Sequence, residues 1–481
     1  MKKPSIQRNV ILSTLYQILT MVTPLITAPY TARVLGADGV GINSYTTSIN
    51  TYFLLLAVLG TSTYGCREIA RNRENKQRRS QIFWEIEILT AITTGICLLA
   101  WAFVTAAGGA YKPYLMVQTI SLAAVAFEIS WFYAGMERFD YTVYINTVIR
   151  ILTIICIFVF VKEPEHLGRF MVIFSLGNLL GNLSMWIFLP EYIQKPDFKN
   201  LQIWQHFKKT LIYFVPTIAT SVYTVLDKTL IGLITQEHAQ NGYYEQATKI
   251  INMAKSIAFV ALNGVLTSRM SYLYAEHKEE EIRQRTDASM EYMSFMCVGL
   301  TFGIFAVAPR FVMSFFGPEY MAVVSLLQIF SPIILIIGIS NCVASHYFTP
   351  VGLQKQNATF LIVGACVNLM LNCILIPYWG SHGAAFASVI AELAITILYV
   401  SQSQGFMTAG RLMGYLWKKL VAAAAMVGAI LLIDGLFPRP LFATVCEVAL
   451  GVGIYCVTLL LLRDRSVTIV VNGVMAKLKR N

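Results

Sequence analysis

Apolar runs of about 20 residues recur from one end of the chain to the other, separated by short polar stretches. A run of that length lets an α-helix cross the roughly 30 Å hydrocarbon core of a bilayer. The first run follows a basic start and continues to about residue 35 without an evident cleavage site, so it is predicted to be an uncleaved span. The pattern therefore predicts an all-α polytopic membrane protein. Fourteen spans are predicted, near 9–32, 40–62, 83–106, 113–135, 142–161, 168–189, 211–235, 243–270, 289–308, 321–344, 358–377, 383–402, 417–436 and 441–462.

Basic residues are distributed unevenly over the loops between these spans. Counted from the N-terminus, one set of alternate loops holds 26 of the 37 lysines and arginines, and the other set holds 6. Cytoplasmic loops carry the excess of basic residues, so both termini are predicted to be cytoplasmic. The same distribution accounts for the net charge of +11, since most cations lie in short loops such as 67–79. A nucleic-acid partner is therefore not expected.

The longest polar interruption between early and late spans is "PEYIQKPDFKNLQIWQHFKK", residues 190–209. Two loose repeats fall on either side of it: 24–45 is similar to 216–247, and 132–151 is similar to 347–369. The two copies of each repeat lie six spans apart. Because six is an even number, the chain crosses the membrane in the same direction in both copies. This arrangement predicts two pseudo-symmetric six-helix bundles related by an axis along the membrane normal, as in some transporters. The predicted parts are an N-lobe 1–189, a cytoplasmic linker 190–210, a C-lobe 211–402, and a segment 403–481 with spans 13–14 and a basic cytoplasmic tail.

Only 13% of the residues are charged, which makes the charges inside the predicted spans informative. Each costs at least about 2.5–3.5 kcal/mol at the centre of a membrane helix. Cations around a hydrated cavity would suit an anionic substrate, phosphate above all. Lys228 is predicted to line such a cavity, while Asp227 pairs with an element of the other lobe or senses a proton. The alternative is that both residues lie near the outer end of their span and reach toward water. The bases singled out within spans are Arg150, Lys228, Lys249, Lys255 and Arg269, and the acids singled out are Glu128, Asp227, Glu245, Glu392, Asp434 and Glu447.

Polar residues also follow one face of the first span, at steps of three and four. Lipid cannot satisfy such a face, so it is predicted to contact protein or water. The alternative is that the small hydroxyl residues bond to their own backbone and let helices approach closely. The residues are Ser13, Gln17, Thr20, Thr23, Thr27 and Thr31.

Several chemistries find no support in the sequence. There is no G-x-x-x-x-G-K-[ST] loop for nucleotide phosphates and no recognisable nucleophile–base arrangement. The nine cysteines form no C-x-x-C pair and the six histidines do not cluster, so neither a metal nor another cofactor is expected. The chain is predicted to be a secondary transporter and not an enzyme. Its energy source would be an H⁺ or Na⁺ gradient, the membrane potential, or the gradient of the substrate.

Four motifs, in this order, resemble segments of bacterial polysaccharide-repeat-unit flippases, the O-antigen and capsule exporters of the multidrug/oligosaccharidyl-lipid/polysaccharide superfamily. The resemblance covers the first twelve spans, whereas the last two match in number and position only. The motifs are "PLITAPYTARVLGADGVGINSY", "FEISWFYAGMERFDYTVYINTVIRIL", "LDKTLIGLI…NGYYEQATKI" and "VNLMLNCILIPYWGSHGAAFASVIAE".

This resemblance implies a MATE-like fold of two six-helix bundles plus two helices, located in the bacterial plasma membrane. The implied activity is transfer of undecaprenyl-pyrophosphate-linked oligosaccharide from the cytoplasmic to the outer leaflet by alternating access. The first and eighth spans would part to admit the lipid. The implied partners are the lipid-linked oligosaccharide and membrane lipids, together with a polysaccharide polymerase and glycosyltransferases.

On this basis the pyrophosphate is expected to contact Arg150, Lys249 and Lys255, with Lys228 and Arg33 nearer the outer mouth. Ion-coupling or charge-balancing roles fall to the acids Glu128, Asp227 and Glu392. Two alternatives share the fold. The first is a lipid II flippase, which only the sequence motifs distinguish from the favoured function. The second is a multidrug/cation antiporter, which is expected to have twelve spans and an acid-dominated cavity, whereas this sequence predicts fourteen spans and an excess of bases.

Overall fold

The computed structural model describes residues 6–195, 201–263, 266–433 and 440–467. Within these ranges every regular element is helical, which confirms the all-α prediction. The α-helices are α1 Ile6–Val58, α2 Thr61–Arg71, α3 Lys76–Ala107, α4 Lys112–Ala123, α5 Ser130–Gly135, α6 Phe139–Phe160, α7 Leu167–Met185, α8 Trp204–Thr235, α9 His238–Asn263, α10 Leu266–Ala275, α11 Glu279–Phe315, α12 Ala322–Phe330, α13 Pro332–Val343, α14 Thr349–Val351, α15 Gln354–Ser401, α16 Ala409–Ile433 and α17 Pro440–Leu461.

Two of the long helices each cover two predicted spans joined at a glycine. Helix α1 is interrupted at Gly36 (φ 67°, ψ 175°), and α15 at Gly380 (φ 53°, ψ −130°). Only glycine adopts such backbone angles without steric strain, so both bends occur at this residue type. In the described ranges, nine helical segments are long and apolar enough to cross a membrane, with α15 counted once. The total of fourteen spans and the side of the termini stay predictions.

The second predicted span ends earlier than expected. Leu59 (φ 46°) and Gly60 (φ 74°) leave the helical conformation, and a separate short helix α2 begins at Thr61. Helix α2 packs against α5 so closely that a Cβ added at Gly65 would lie 2.5 Å from the indole ring of Trp131. Its basic side chains Arg67 and Arg71 are exposed. The hydropathy of residues 40–62 predicted one continuous span because it carries no information on this backbone break.

The fourth predicted span is also interrupted. Helix α4 continues into a short 3₁₀ segment, Ala124–Phe127, and then Glu128 adopts an extended conformation (φ −79°, ψ 103°) before α5 begins. Non-helical backbone at membrane depth is tolerated where protein surrounds it or where it lines a polar cavity. A predicted ion-coupling residue, Glu128, therefore occupies a break between two helical segments.

Contacts divide the chain into two compact units. Unit 1 comprises Met1–Gly232 with Glu237–Gly242, and unit 2 comprises Leu233–Gln236 with Tyr243–Asn481. An aromatic core that includes Phe83, Trp131 and Tyr133 holds α2, α3 and α5 together in unit 1. In unit 2, α11, α16 and α17 enclose a core of small and aliphatic side chains such as Ala422 and Met426. The two pseudo-symmetric lobes of the sequence analysis stay a prediction.

Candidate substrate and ion sites

Arg150 is half-buried near the middle of α6 in unit 1. Its Nη1 atom is buried, and no residue in the described part of the chain accepts a hydrogen bond from it. A buried donor without a partner costs about 1–3 kcal/mol, and more when the group is charged. This guanidinium is therefore available to an anionic ligand at membrane depth.

The other predicted sites of unit 1 differ in their burial. Arg33 is exposed on α1, three residues before the bend at Gly36. On α8, Asp227 is 4% exposed whereas its neighbour Lys228 is half-buried. Asp227 interacts electrostatically with Tyr52 of α1. The structure thus places this acid and this base in different surroundings although they are adjacent in the sequence.

Further polar contacts join α8 to the second half of α1. The hydroxyl oxygen of Thr229 lies 3.0 Å from the hydroxyl oxygens of Ser48 and Tyr52. On the first half of α1, the Thr27 hydroxyl donates to the Thr23 carbonyl at 3.0 Å and the Thr31 hydroxyl donates to the Thr27 carbonyl at 2.9 Å. These last two bonds are of the kind that the alternative reading of the hydroxyl stripe expected. The side chains of Ser13, Gln17 and Arg269, and all of Asp434, lie outside the described residues.

Glu128 accepts hydrogen bonds at the break between α4 and α5. The backbone N–H of Ser130 donates to Oε1 at 2.9 Å, and the Ser62 hydroxyl donates to Oε2 at 3.4 Å. Glu128 also interacts electrostatically with Glu87 of α3, a residue that the sequence analysis did not single out. Glu87 is 4% exposed, and neither of its carboxylate oxygens has a hydrogen-bond partner within the described ranges.

A second buried acid on α3, Glu85, was missed as well. His206 Nε2 lies 2.7 Å from Glu85 Oε2, and His206 Nδ1 lies 2.8 Å from the Tyr64 hydroxyl. This chain of contacts ties α3 to the start of α8 and to α2. The stretch "WEIEIL", residues 84–89, was the available signal: positions 85 and 87 lie about 200° apart on a helix, so the two acids must face different surroundings.

The two predicted cations on α9 of unit 2 are unequal. Lys249 forms an ion pair with Glu245, one turn earlier, at 3.2 Å. Lys255 is half-buried and makes no hydrogen bond or ion pair with any described residue. It interacts electrostatically with Glu392 of α15. Lys249 is thus paired with an acid of its own helix, whereas the acid that acts on Lys255 lies on another helix, α15.

An apolar cavity of about 220 Å³ lies within unit 2, between α11, α16 and α17. It is lined by glycine and aliphatic side chains, including Gly303, Val307, Ile430 and Gly451, with the carboxylate of Glu447 at one position. Such a lining suits a flexible hydrocarbon chain and offers little to a sugar or a phosphate.

Long apolar helices, bends at glycine, and buried charges on several helices define a multi-pass membrane transporter. The chain belongs to the family described as polysaccharide biosynthesis protein, whose model matches residues 6–274. This confirms the resemblance to polysaccharide flippases of the multidrug/oligosaccharidyl-lipid/polysaccharide superfamily.

Two relatives extend the similarity over most of the chain. A protein of Escherichia coli (strain K12) named as an O-antigen transporter is 23% identical over 407 residues, which are 82% of this chain and 96% of the relative. A protein of the archaeon Haloferax volcanii named as a low-salt glycan biosynthesis flippase is 23% identical over 397 residues, which are 78% of this chain and 79% of the relative.

Solved structures confirm the fold. The lipid II flippase MurJ in an inward closed conformation superposes with a TM-score of 0.75 at 15% identity, covering 94% of this chain and 99% of that chain. An inward-facing multidrug transporter of the MATE family superposes with a TM-score of 0.57 at 12% identity, covering 82% and 98%. At these identities the likeness shows a MATE-like transporter fold and no more.

Proposed function

We propose that this protein is a flippase for undecaprenyl-pyrophosphate-linked oligosaccharide repeat units in the bacterial plasma membrane. It moves them from the cytoplasmic to the outer leaflet by alternating access, and the repeat units serve the synthesis of a capsule, an exopolysaccharide or an O-antigen. Glycosyltransferases assemble the repeat unit before the transfer, and a polysaccharide polymerase joins the units after it. The names of two relatives, an O-antigen transporter and a glycan flippase, support this substrate class.

The observation that carries the proposal is the buried Nη1 of Arg150, which lacks an acceptor in the described part of the chain. A guanidinium presents a planar fork of donors that matches the oxygens of a phosphate group. A diphosphate would fill the vacant hydrogen-bonding position and compensate the charge. Within unit 2, Lys255 is a candidate basic residue in its own right, and the acid that acts on it electrostatically is Glu392 of α15.

The sugars and the polyprenyl chain of the substrate need different surroundings. Sugars need hydrogen-bond partners and water, whereas a polyprenyl chain needs an apolar surrounding. The cavity between α11, α16 and α17 offers an apolar lining for part of such a chain. The rest of the chain can stay in the lipid phase while the polar head crosses.

A lipid II flippase is the second candidate, because MurJ shares the fold at a TM-score of 0.75 and only the sequence motifs separate the two functions. Both substrates carry a polyprenyl diphosphate, so the basic residues fit them equally well. The sugar that accumulates on the cytoplasmic side when the protein is absent separates the two. A multidrug/cation antiporter is less consistent with the buried Nη1 atom of Arg150, which has no acceptor among the described residues.

The test is a complementation experiment in cells that lack the protein. We expect Arg150→Ala to lower surface polysaccharide at least about tenfold, since a charge-assisted hydrogen bond contributes about 1.5–3 kcal/mol. Lipid-linked repeat units should accumulate on the cytoplasmic side. Arg169→Ala is the matched control, because Arg169 is exposed on α7 and contacts His166. Normal export by Arg150→Ala, with wild-type amounts of protein in the membrane, would refute the proposed role.

A further inference from the structure

We propose that Glu87 and Glu128 form a proton-binding site in unit 1, in which Glu87 carries the proton and Glu128 supplies a neighbouring negative charge. The proposal that this proton is the coupling ion rests on the proposed function; the binding site itself does not.

The carboxyl group of Glu87 is buried within unit 1. Its side chain is 4% exposed, and both oxygens lack a partner in the described part of the chain. An ionised carboxylate in such a place loses its hydration without compensation, which is strongly unfavourable. A bound proton removes that cost. Unpaired acids at membrane depth are rare and mark ion or proton pathways.

Charged side chains are scarce on the segments that pack against the Glu87 helix. Helix α3 packs against α1, α2, α4 and the Ala124–Phe127 segment. Residues 39–58 of α1 and 113–127 contain no charged side chain, and their titratable groups are Tyr45, Tyr52 and Tyr114. Glu128 is the charged group that interacts with Glu87. A negative charge nearby disfavours ionisation of a carboxyl, so Glu87 holds a proton more readily beside Glu128 than it would alone.

Helix α2 brings no compensating cation to this pair. Its basic residues Arg67 and Arg71 are exposed, and Arg71 forms an ion pair with Glu68 of the same helix at 3.2 Å. Its buried face carries Tyr64, whose hydroxyl lies 2.8 Å from His206. His206 and Glu85 lie on the other side of α3 from Glu87 and are engaged with each other at 2.7 Å.

The backbone near Glu87 and Glu128 leaves the helical conformation at two places. Glu128 stands in the extended break between α4 and α5, and α2 begins after the break at Leu59 and Gly60. The Thr90 hydroxyl, on α3 close to one turn beyond Glu87, donates to the Thr61 hydroxyl of α2 at 3.1 Å. Two helix interruptions therefore lie beside the Glu87 segment of α3. Interrupted helices are where membrane transporters place coupling ions.

A proton suits this site better than a metal cation. Hard cations take a shell of six or more oxygen ligands. Within the described ranges, no group of three His, Cys, Asp or Glu residues could hold a metal. The Ser62 hydroxyl and the Ser130 N–H donate hydrogen bonds to Glu128. Donors in these positions stabilise a carboxylate and do not coordinate a cation. When Glu87 loses its proton, two carboxylates repel each other next to a helix break, and the break is the element that can respond.

The test of the binding site uses infrared titration of the purified full-length protein in lipid nanodiscs. We expect a protonated carboxyl C=O band at neutral pH that Glu87→Gln removes and that the control Glu74→Gln retains, since Glu74 is exposed. Glu128→Gln should move the titration of that band to lower pH by about one pH unit or more, because the neighbouring charge is gone. This variant also keeps the test valid if Glu87→Gln does not fold. A band that persists in Glu87→Gln, or does not respond to Glu128→Gln, overturns the site.

The coupling role has a separate readout in proteoliposomes with a labelled polyprenyl diphosphate oligosaccharide. A pH gradient should accelerate wild-type transfer, and Glu87→Gln should transfer at a rate that no longer depends on that gradient. Acceleration by a Na⁺ gradient and not by a pH gradient would overturn the coupling role. If the infrared band behaves as expected and no glycolipid is moved at all, the binding site stands and the proposed function fails.

Discussion

The carbonyl oxygen of His238 lies against the α-carbon of Gly41: a Cβ built on that glycine would be 1.7 Å from the oxygen. The contact is reciprocal, because a Cβ on Gly242 would lie 2.1 Å from the carbonyl oxygen of Ala37. All four residues belong to unit 1, although the first two lie almost 200 positions apart. The start of α9 is thus seated on α1 just after its bend, and only glycine permits this approach at both positions.

Gly41→Ala should therefore be strongly destabilising. The added methyl group has no room against backbone atoms, and overpacking of this kind costs about 1–3 kcal/mol. We expect a lower melting temperature in detergent, measured by thermal unfolding monitored through size-exclusion chromatography. Gly95→Ala on α3 is the control, since a Cβ there meets nothing within 4 Å and alanine favours the helix. Equal melting temperatures for the two variants would contradict the close contact.

Lys419 provides a second prediction, on the attachment of α16 to α11. This lysine is fully buried, and its Nζ lies 2.6 Å from Glu291 and 3.2 Å from Asp464. Lys419→Met leaves two carboxylates without their cation, and removal of one partner of a buried ion pair costs about 3–5 kcal/mol. We expect a large loss of thermal stability, whereas Lys418→Met next to it should change little because its Nζ contact, with the Arg463 carbonyl, is exposed. A small effect of Lys419→Met would show that the cluster contributes no net stability.

Asp464 follows the last span and belongs to the same group of charges as Lys419 and Glu291. It leads to a prediction on how the stability of this group depends on pH. Burial alone would raise the pKa of its carboxyl, but hydrogen bonds from Ser466 and the charge of Lys419 hold the pKa below its ordinary value. A carboxyl with a lowered pKa stabilises the folded state at neutral pH, and that contribution is lost as the pH falls through the folded-state pKa. The melting-temperature difference between the wild type and Asp464→Asn should therefore be largest near neutral pH and shrink below about pH 4. Glu276→Gln, at an exposed site, should show no such convergence.

Lys249 and Lys255 should respond differently to alanine substitution. Lys249 is already paired with Glu245 at 3.2 Å, whereas Lys255 has no ion pair with any described residue. Under the proposed function, Lys255→Ala should lower export of labelled repeat units at least about tenfold, and Lys249→Ala by a few-fold only. Surface polysaccharide, normalised to the amount of protein in the membrane, is the measurement. The reverse order would place the diphosphate near Lys249.

Much of the fold could be predicted from local sequence. Apolar segments must form helices in lipid, because no water is present to satisfy the backbone. Helices α3, α6, α16 and α17 begin and end within about eight residues of the predicted spans. Gly36 and Gly380 lie in the predicted gaps between spans, and the structure turns the chain at both.

The candidate sites were predictable only in part. Arg150, Lys255 and Glu128 stood out because a charge inside an apolar run is conspicuous. Glu87 did not, because it lies near the start of its span, where a carboxylate could equally reach water. Its burial depends on α2 and on the break at Glu128, and neither is visible in the hydropathy.

The sequence by itself determined that this is a helical membrane protein of the flippase type, since apolar length, basic loops and local motifs act over one helix at a time. Only the tertiary structure decided which buried charges have partners. Lys249 and Lys255 look alike in the sequence, yet one is paired and the other is not. The physical reason is that the free energy of a charge in the membrane depends on which helices approach it, and residues far apart in the chain set that approach.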